Sequence, residues 1–277
     1  MKKKIDTVDL ISLGLPIFTA IAVIWRTLAF ILAFDENVGY FDSSALITHL
    51  DRSFIIVTAL FGVTVALLTK KGSLPECDSP ATVWSTFASL ALGFVFAIFS
   101  LLFGILNLPT RSVIIYAIIA SAIASAFYFF LEGFKPRTSV SSGRILIGLL
   151  PIVSLLLLIF VENFDFNIAL NSTEKILATF IFAATSLYII QRLKFSANVP
   201  SPRFHLWCAY LVALLGAYFA IPGIIASCMK VLDDPKYLSY YFLALGISAY
   251  AFADLFGRLR IANLDAETVI NGTDTTI

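Results

Sequence analysis

The sequence predicts an all-α integral membrane protein with eight transmembrane helices, and three observations predict it. Of 277 residues, 59% are hydrophobic and 13% are charged, with a mean hydropathy of +0.92. A soluble domain carries charge on roughly a quarter of its residues, so this surface is suited to lipid and not to water. Apolar stretches recur at the length of about 20 residues that a bilayer core requires. The formal net charge of +1 and the scattered Lys and Arg residues form no basic face, which argues against nucleic-acid binding.

The spans read as 10–34, 53–69, 83–106, 112–131, 145–161, 174–190, 206–228 and 237–257. The first starts after MKKKIDTVD, yet its apolar run is too long for a signal peptide and meets Asp35-Glu36-Asn37 with no small-residue cleavage site. The helix is therefore expected to remain. The loops are short, and the polar stretch 263–277 reads as a disordered cytoplasmic tail. Asn171-Ser-Thr fits a helix start better than a glycosylation site, with Glu174 as the capping-box acid.

Positive residues set the orientation, because Lys and Arg in short loops stay in the cytoplasm. One set of termini and loops holds thirteen of them, the other five. Both chain ends belong to the first set, while acids such as Asp35, Asp42, Glu162 and Asp233 belong to the second. This places the termini in the cytoplasm of a cell membrane.

A tandem repeat of four spans is the next expectation, with residues 1–134 and 135–262 as its copies. Ser79-Pro80, Trp84 and Gly93 are echoed by Ser201-Pro202, Trp207 and Gly216. Trp84–Ile98 and Trp207–Ile221 share six identities in fifteen positions. Lys70-Lys71 matches Gln191-Arg192, Pro109 matches Pro235, and Gly133 matches Gly257. An even number of spans per copy gives both copies one orientation and a pseudo-twofold axis along the membrane normal. The fourth and eighth spans carry the most small residues, among them Ser121, Ala124, Gly246 and Ser248, a signal for close helix packing.

Chemistry-bearing residues are few. Arg26 is the one charge well inside a span, about 12 Å below its end at 1.5 Å per residue. Such a charge costs about 2.5–3.5 kcal/mol at the bilayer centre, so it should face the interior with a partner. The candidate site is Arg26 with Asp35, Asp42 or Asp51. Glu132 and Asp254 read as interfacial acids, Asp254 pairing with Arg258 at i,i+4. His49, Asp42 and Asp51 have no defined ligand spacing. Trp84 and Trp207 read as one aromatic belt, and Tyr237, Tyr240 and Tyr241 as the other.

Cys77, Cys208 and Cys228 are far apart, and His49 and His205 are assigned to opposite sides, so neither a metal site nor a haem is expected. No HExxH, GxSxG, P-loop or dinucleotide-binding turn occurs, and the expectation is a protein without catalysis or cofactor. The segment Arg26 to Phe41, with Asp35, Gly39 and Tyr40, resembles the first hairpin of uncharacterised multi-span proteins of anaerobic Gram-positive bacteria. That resemblance implies a bacterial cytoplasmic membrane and no activity. The expected role is a transporter-like permease for a small solute or ion. The alternative is a membrane scaffold or complex subunit, with a second copy or another membrane protein as partner.

Overall fold

The computed structural model describes residues 7–35, 40–68, 83–107, 112–134, 142–164, 172–197, 199, 201–232 and 235–273, and only the backbone of 7–10, 12, 40, 83, 235 and 260–273. The repeat matches at Lys70-Lys71, Ser79-Pro80 and Pro109, together with Cys77 and Asn171, lie outside these residues.

Among the described residues eight helical segments are long and apolar enough to cross a membrane. The helices are α1 (Thr7–Ala33), α2 (Leu46–Leu68), α3 (Val83–Asn107), α4 (Val113–Phe134), α5 (Ser142–Ile147), α6 (Leu150–Phe164), α7 (Thr173–Ser196), α8 (Pro202–Cys228) and α9 (Pro235–Thr273). The chain is a multi-pass helical membrane protein. Large apolar side chains such as Leu32, Phe94, Leu101, Phe127 and Phe180 face outward, as lipid contact requires.

The fifth span is broken. Pro151 has no N–H to offer the carbonyl of Ile147, and the chain turns at Gly148-Leu149 between α5 and α6. At the end of α8, Lys230 takes a left-handed φ of 59°. Val231 N–H then donates to the Ala226 carbonyl at 2.9 Å and Lys230 N–H to that of Ser227 at 3.1 Å, the paired bonds of a Schellman stop. A two-residue antiparallel ribbon, β1 (Phe34–Asp35) and β2 (Tyr40–Phe41), joins α1 to α2, with Phe34 opposite Phe41. This ribbon lies within the Arg26–Phe41 segment whose sequence resembles a first hairpin.

Helices α3, α4, α6, α7, α8 and α9 pack in that order as a ring, closed by α9 against α3. The α1–α2 pair lies against α8, which touches α1, α2, α7 and α9. The hairpins α3–α4 and α8–α9 are the most closely packed. In each, a glycine lets the backbones approach closely. A Cβ at Gly93 would meet the Ala126 carbonyl at 3.2 Å and the Phe130 ring at 2.8 Å. A Cβ at Gly216 would meet the Ala244 carbonyl at 3.0 Å and Ser248 Cβ at 2.8 Å. The two hairpins differ in surroundings, since α3 packs on α4 and α9 while α8 has four neighbours.

Helix ends depart from the sequence reading where charges had set the boundary. α2 begins at Leu46 and carries Asp51 inside it, and α7 runs through Arg192 to Ser196. α9 continues to Thr273, so 263–273, read from sequence as a disordered tail, has a helical backbone.

Candidate functional site: two buried ion-pair networks

The buried charged residues among those described gather at the two ends of the bundle. One network lies near the β1–β2 ribbon, the other where α1 begins and α7 ends. Helix α7 reaches both: Glu174 and Arg192 are eighteen residues apart, or about 27 Å along a helix, close to a bilayer core.

The first network centres on Arg26, which is buried. Its Nη1 lies 3.4 Å from Asp51 Oδ2 on α2, and its Nη2 donates to Glu174 Oε1 on α7. Two tyrosines also donate to these carboxylates. Tyr218 of α8 donates to Asp51 Oδ2 at 2.6 Å, and Tyr241 of α9 to Glu174 Oε2 at 2.8 Å. The guanidinium also lies over the rings of Phe41, Phe30 and Tyr218, at 4.4, 5.0 and 5.3 Å. Nearby, Glu162 accepts from Tyr237 at 2.6 Å and pairs with Lys236 at 3.0 Å.

Of the acids proposed from sequence as partners of Arg26, Asp51 is brought to it. Asp35 and Asp42 are exposed on and beside the ribbon. Asp42 accepts from the backbone N–H and the hydroxyl of Ser44, each at 2.8 Å, and these bonds hold its carboxyl below the usual range. His49 is exposed as well.

Glu174 was read as a capping-box acid. The cap is instead Ser172, whose hydroxyl accepts from Lys175 N–H at 3.3 Å. That shifts Glu174 to the second helical position, and its carboxylate turns inward to Arg26. Tyr237, Tyr240 and Tyr241 do not form an interfacial belt. All three are buried, because the carboxylates of Glu162 and Glu174 lie inside the bundle and draw two of the hydroxyls to them. Trp84 is exposed, as a belt residue would be.

The second network centres on Arg192, also buried. Its Nη2 lies 2.7 Å from Glu132 Oε1 on α4, and its Nη1 lies 3.0 Å from Asp254 Oδ1 on α9. Arg192 thus bridges an acid on α4 and an acid on α9. Tyr250 donates to Glu132 at 2.9 Å and Tyr188 to Asp254 at 2.9 Å. His205 Nε2 lies 2.8 Å from Asp254 Oδ2, and Arg258 Nε lies 3.3 Å from Oδ1, the i,i+4 contact expected from sequence. The Arg258 guanidinium also stacks over Phe195 at 4.3 Å. Glu132 and Asp254 are buried network members and not solvated interfacial acids.

Between the ends the interior is aromatic. Phe99 and Phe103 stack at 5.4 Å, and Tyr240 packs against Phe103 at 6.3 Å and Phe182 at 5.6 Å. Phe129 continues the series to Tyr250 at 5.3 Å, which reaches the second network.

No protein-family model, curated protein or solved structure matches this chain. Its functional reading rests on the two networks.

Proposed function

We propose that the chain is a permease for a small solute or ion, with its path between residues 1–134 and 135–262. One observation carries this reading. Each end of the bundle holds a buried ion-pair network, and each network joins one half to the other. At the ribbon end Arg26 and Asp51 of the first half meet Glu174, Tyr218 and Tyr241 of the second. At the far end Glu132 of the first half meets Arg192 and Tyr250 of the second.

Buried ion pairs are a poor means of merely holding helices together, since well-packed apolar residues often serve as well or better. They suit an interface that must part, because separated charges are stabilised by the water that enters. Opening one network while the other stays closed would expose the interior to one side at a time. The aromatic centre, Phe99, Phe103, Phe182 and Tyr240, would repack around a passing solute.

Gly93 and Gly216, matched in sequence, each come close to an alanine carbonyl of the next helix, Ala126 and Ala244. With the positive residues inside, the Arg26 end faces outward and both termini are cytoplasmic. We place the protein in a bacterial cytoplasmic membrane, acting without cofactor or catalysis. A second reading, a scaffold or complex subunit, is favoured by the tight aromatic packing at mid-depth.

Reporter cysteines separate the two. Ala220 and Ala251 are buried. With Cys77, Cys208 and Cys228 replaced, each reporter position is converted to cysteine and exposed to a membrane-impermeant thiol reagent from either side. A permease labels at Ala220→Cys from outside and at Ala251→Cys from the cytoplasm. A scaffold labels at neither, and that result overturns the proposal. Comparing metabolites inside and outside knockout and wild-type cells would then find the solute.

A further inference from the structure

The surroundings of Arg26 are those of a receptor for an organic cation. Three ring faces and two carboxylates enclose one guanidinium. Ring faces attract weakly hydrated cations, and carboxylates accept their N–H groups. A strongly hydrated metal ion asks instead for a shell of oxygen ligands. Among the described residues no three His, Cys, Asp or Glu side chains converge in that way.

Two further atoms point to a ligand. Asp51 uses Oδ2 for both Tyr218 and Arg26, while its Oδ1 is buried with no hydrogen-bond partner. Thr48 lies three residues earlier on the same face of α2, and its Oγ1 is also buried and without a partner. Buried polar atoms ordinarily find partners. Both of these can accept an N–H. Arg26 faces the two carboxylates of Asp51 and Glu174, and Arg52 is a second positive charge acting on Asp51.

We propose, resting on the permease reading, that this cage binds a small organic cation, an amine or a guanidinium compound, and that Arg26 fills it when no such ligand is bound. The ligand takes Asp51 and Glu174 over from Arg26. Its N–H groups reach Asp51 Oδ1 and Thr48 Oγ1, and its apolar part lies against Phe30 and Phe41. One cation replaces another, so the two carboxylates are not left facing each other unscreened. The exchange also removes the Arg26–Glu174 contact between the halves, which ties occupancy of the site to opening at this end.

The test uses the full chain purified in detergent, titrated calorimetrically with guanidinium, tetramethylammonium and 1,4-diaminobutane, with sodium at equal ionic strength as the control. At least one organic cation is expected to saturate where sodium does not. Asp51→Asn and Thr48→Val should each weaken that binding, the former by about tenfold or more. Arg26→Ala should tighten it by roughly tenfold, because a site held closed by its own competitor shows an affinity reduced by the open fraction. If Arg26→Ala does not fold, the other two variants decide: unchanged affinity in both overturns the proposal. So does a wild-type protein that binds none of the cations while Arg26→Ala takes up guanidinium, since the cage would then be an arginine seat only. Flux of the bound cation in proteoliposomes is measured separately. Binding without flux keeps the site and refutes the permease; flux with unchanged KM in Asp51→Asn keeps the permease and refutes the site.

Discussion

Replacing Arg192 by Leu should be among the most damaging single changes in the bundle. Arg192 meets Glu132 at 2.7 Å and Asp254 at 3.0 Å and lies 4.8 Å from the Tyr250 ring. Asp254 would keep Tyr188, His205 and Arg258. Glu132 would lose its guanidinium contact and keep the Tyr250 hydroxyl. Removing one partner of a buried pair costs about 3–5 kcal/mol, and with Tyr250 still donating we expect about 3 kcal/mol. Arg258→Leu should cost less, about 1 kcal/mol, because its contact is longer and Asp254 keeps three other donors. The diagnostic variant is the double change Glu132→Leu with Arg192→Leu. Removing Glu132 as well should recover at least about half the loss, roughly 1.5 kcal/mol. Reversible unfolding in mixed micelles measures all four proteins. An Arg192→Leu protein within about 0.5 kcal/mol of wild type, or a double variant no better than the single one, would refute the network as drawn.

Arg26→Lys should lower thermal stability nearly as much as Arg26→Leu, because an ammonium cannot bond Asp51 and Glu174 at once in a fork; equal stability of Lys and wild type would mean that Arg26 only snorkels. Asp35→Asn and Asp42→Asn, on exposed carboxylates, should leave stability within about 0.5 kcal/mol in the same micelle assay. Gly216→Ala should destabilise by about 1–3 kcal/mol through overpacking against Ser248 and Ala244. Gly104→Ala, whose Cβ would meet Ile119 Cδ1 at an ordinary 3.4 Å, should be neutral or gain about 0.5 kcal/mol. For orientation, Ser43→Cys should react with an impermeant thiol reagent added outside intact cells, and Ser139→Cys should not; the reverse pattern would invert the topology.

The eight helices were legible in the sequence because each needs only length and hydropathy, and Arg26 was legible because a charge amid apolar residues has few explanations. Its partner Asp51 was reachable as one of three nearby acids. Glu174, Glu132, Arg192 and His205 were not, and of Asp254 only its i,i+4 contact with Arg258 was; the reason is physical. Reading a span from water inward stops it at the first charge, which is sound for a lipid-facing helix and wrong for an interior one. Helix α7 is more shielded by neighbours than α1 and α2, and a shielded helix can carry Arg192 past its apolar stretch so long as it meets an opposite charge. The missed signal was complementarity between spans: near the same end of the bundle, α4 and α9 each present one acid, α7 presents an arginine, and α8 the only buried histidine among the described residues. The tyrosines carried a similar clue. Aromatic residues at a span end stay at the interface when lipid headgroups are the best partners there, and Tyr237 and Tyr241 had better ones in Glu162 and Glu174. Charges excluded from lipid but absent from the loops must therefore be sought in pairs across helices, and on that reasoning both ends of the bundle, not Arg26 alone, are where function should be tested first.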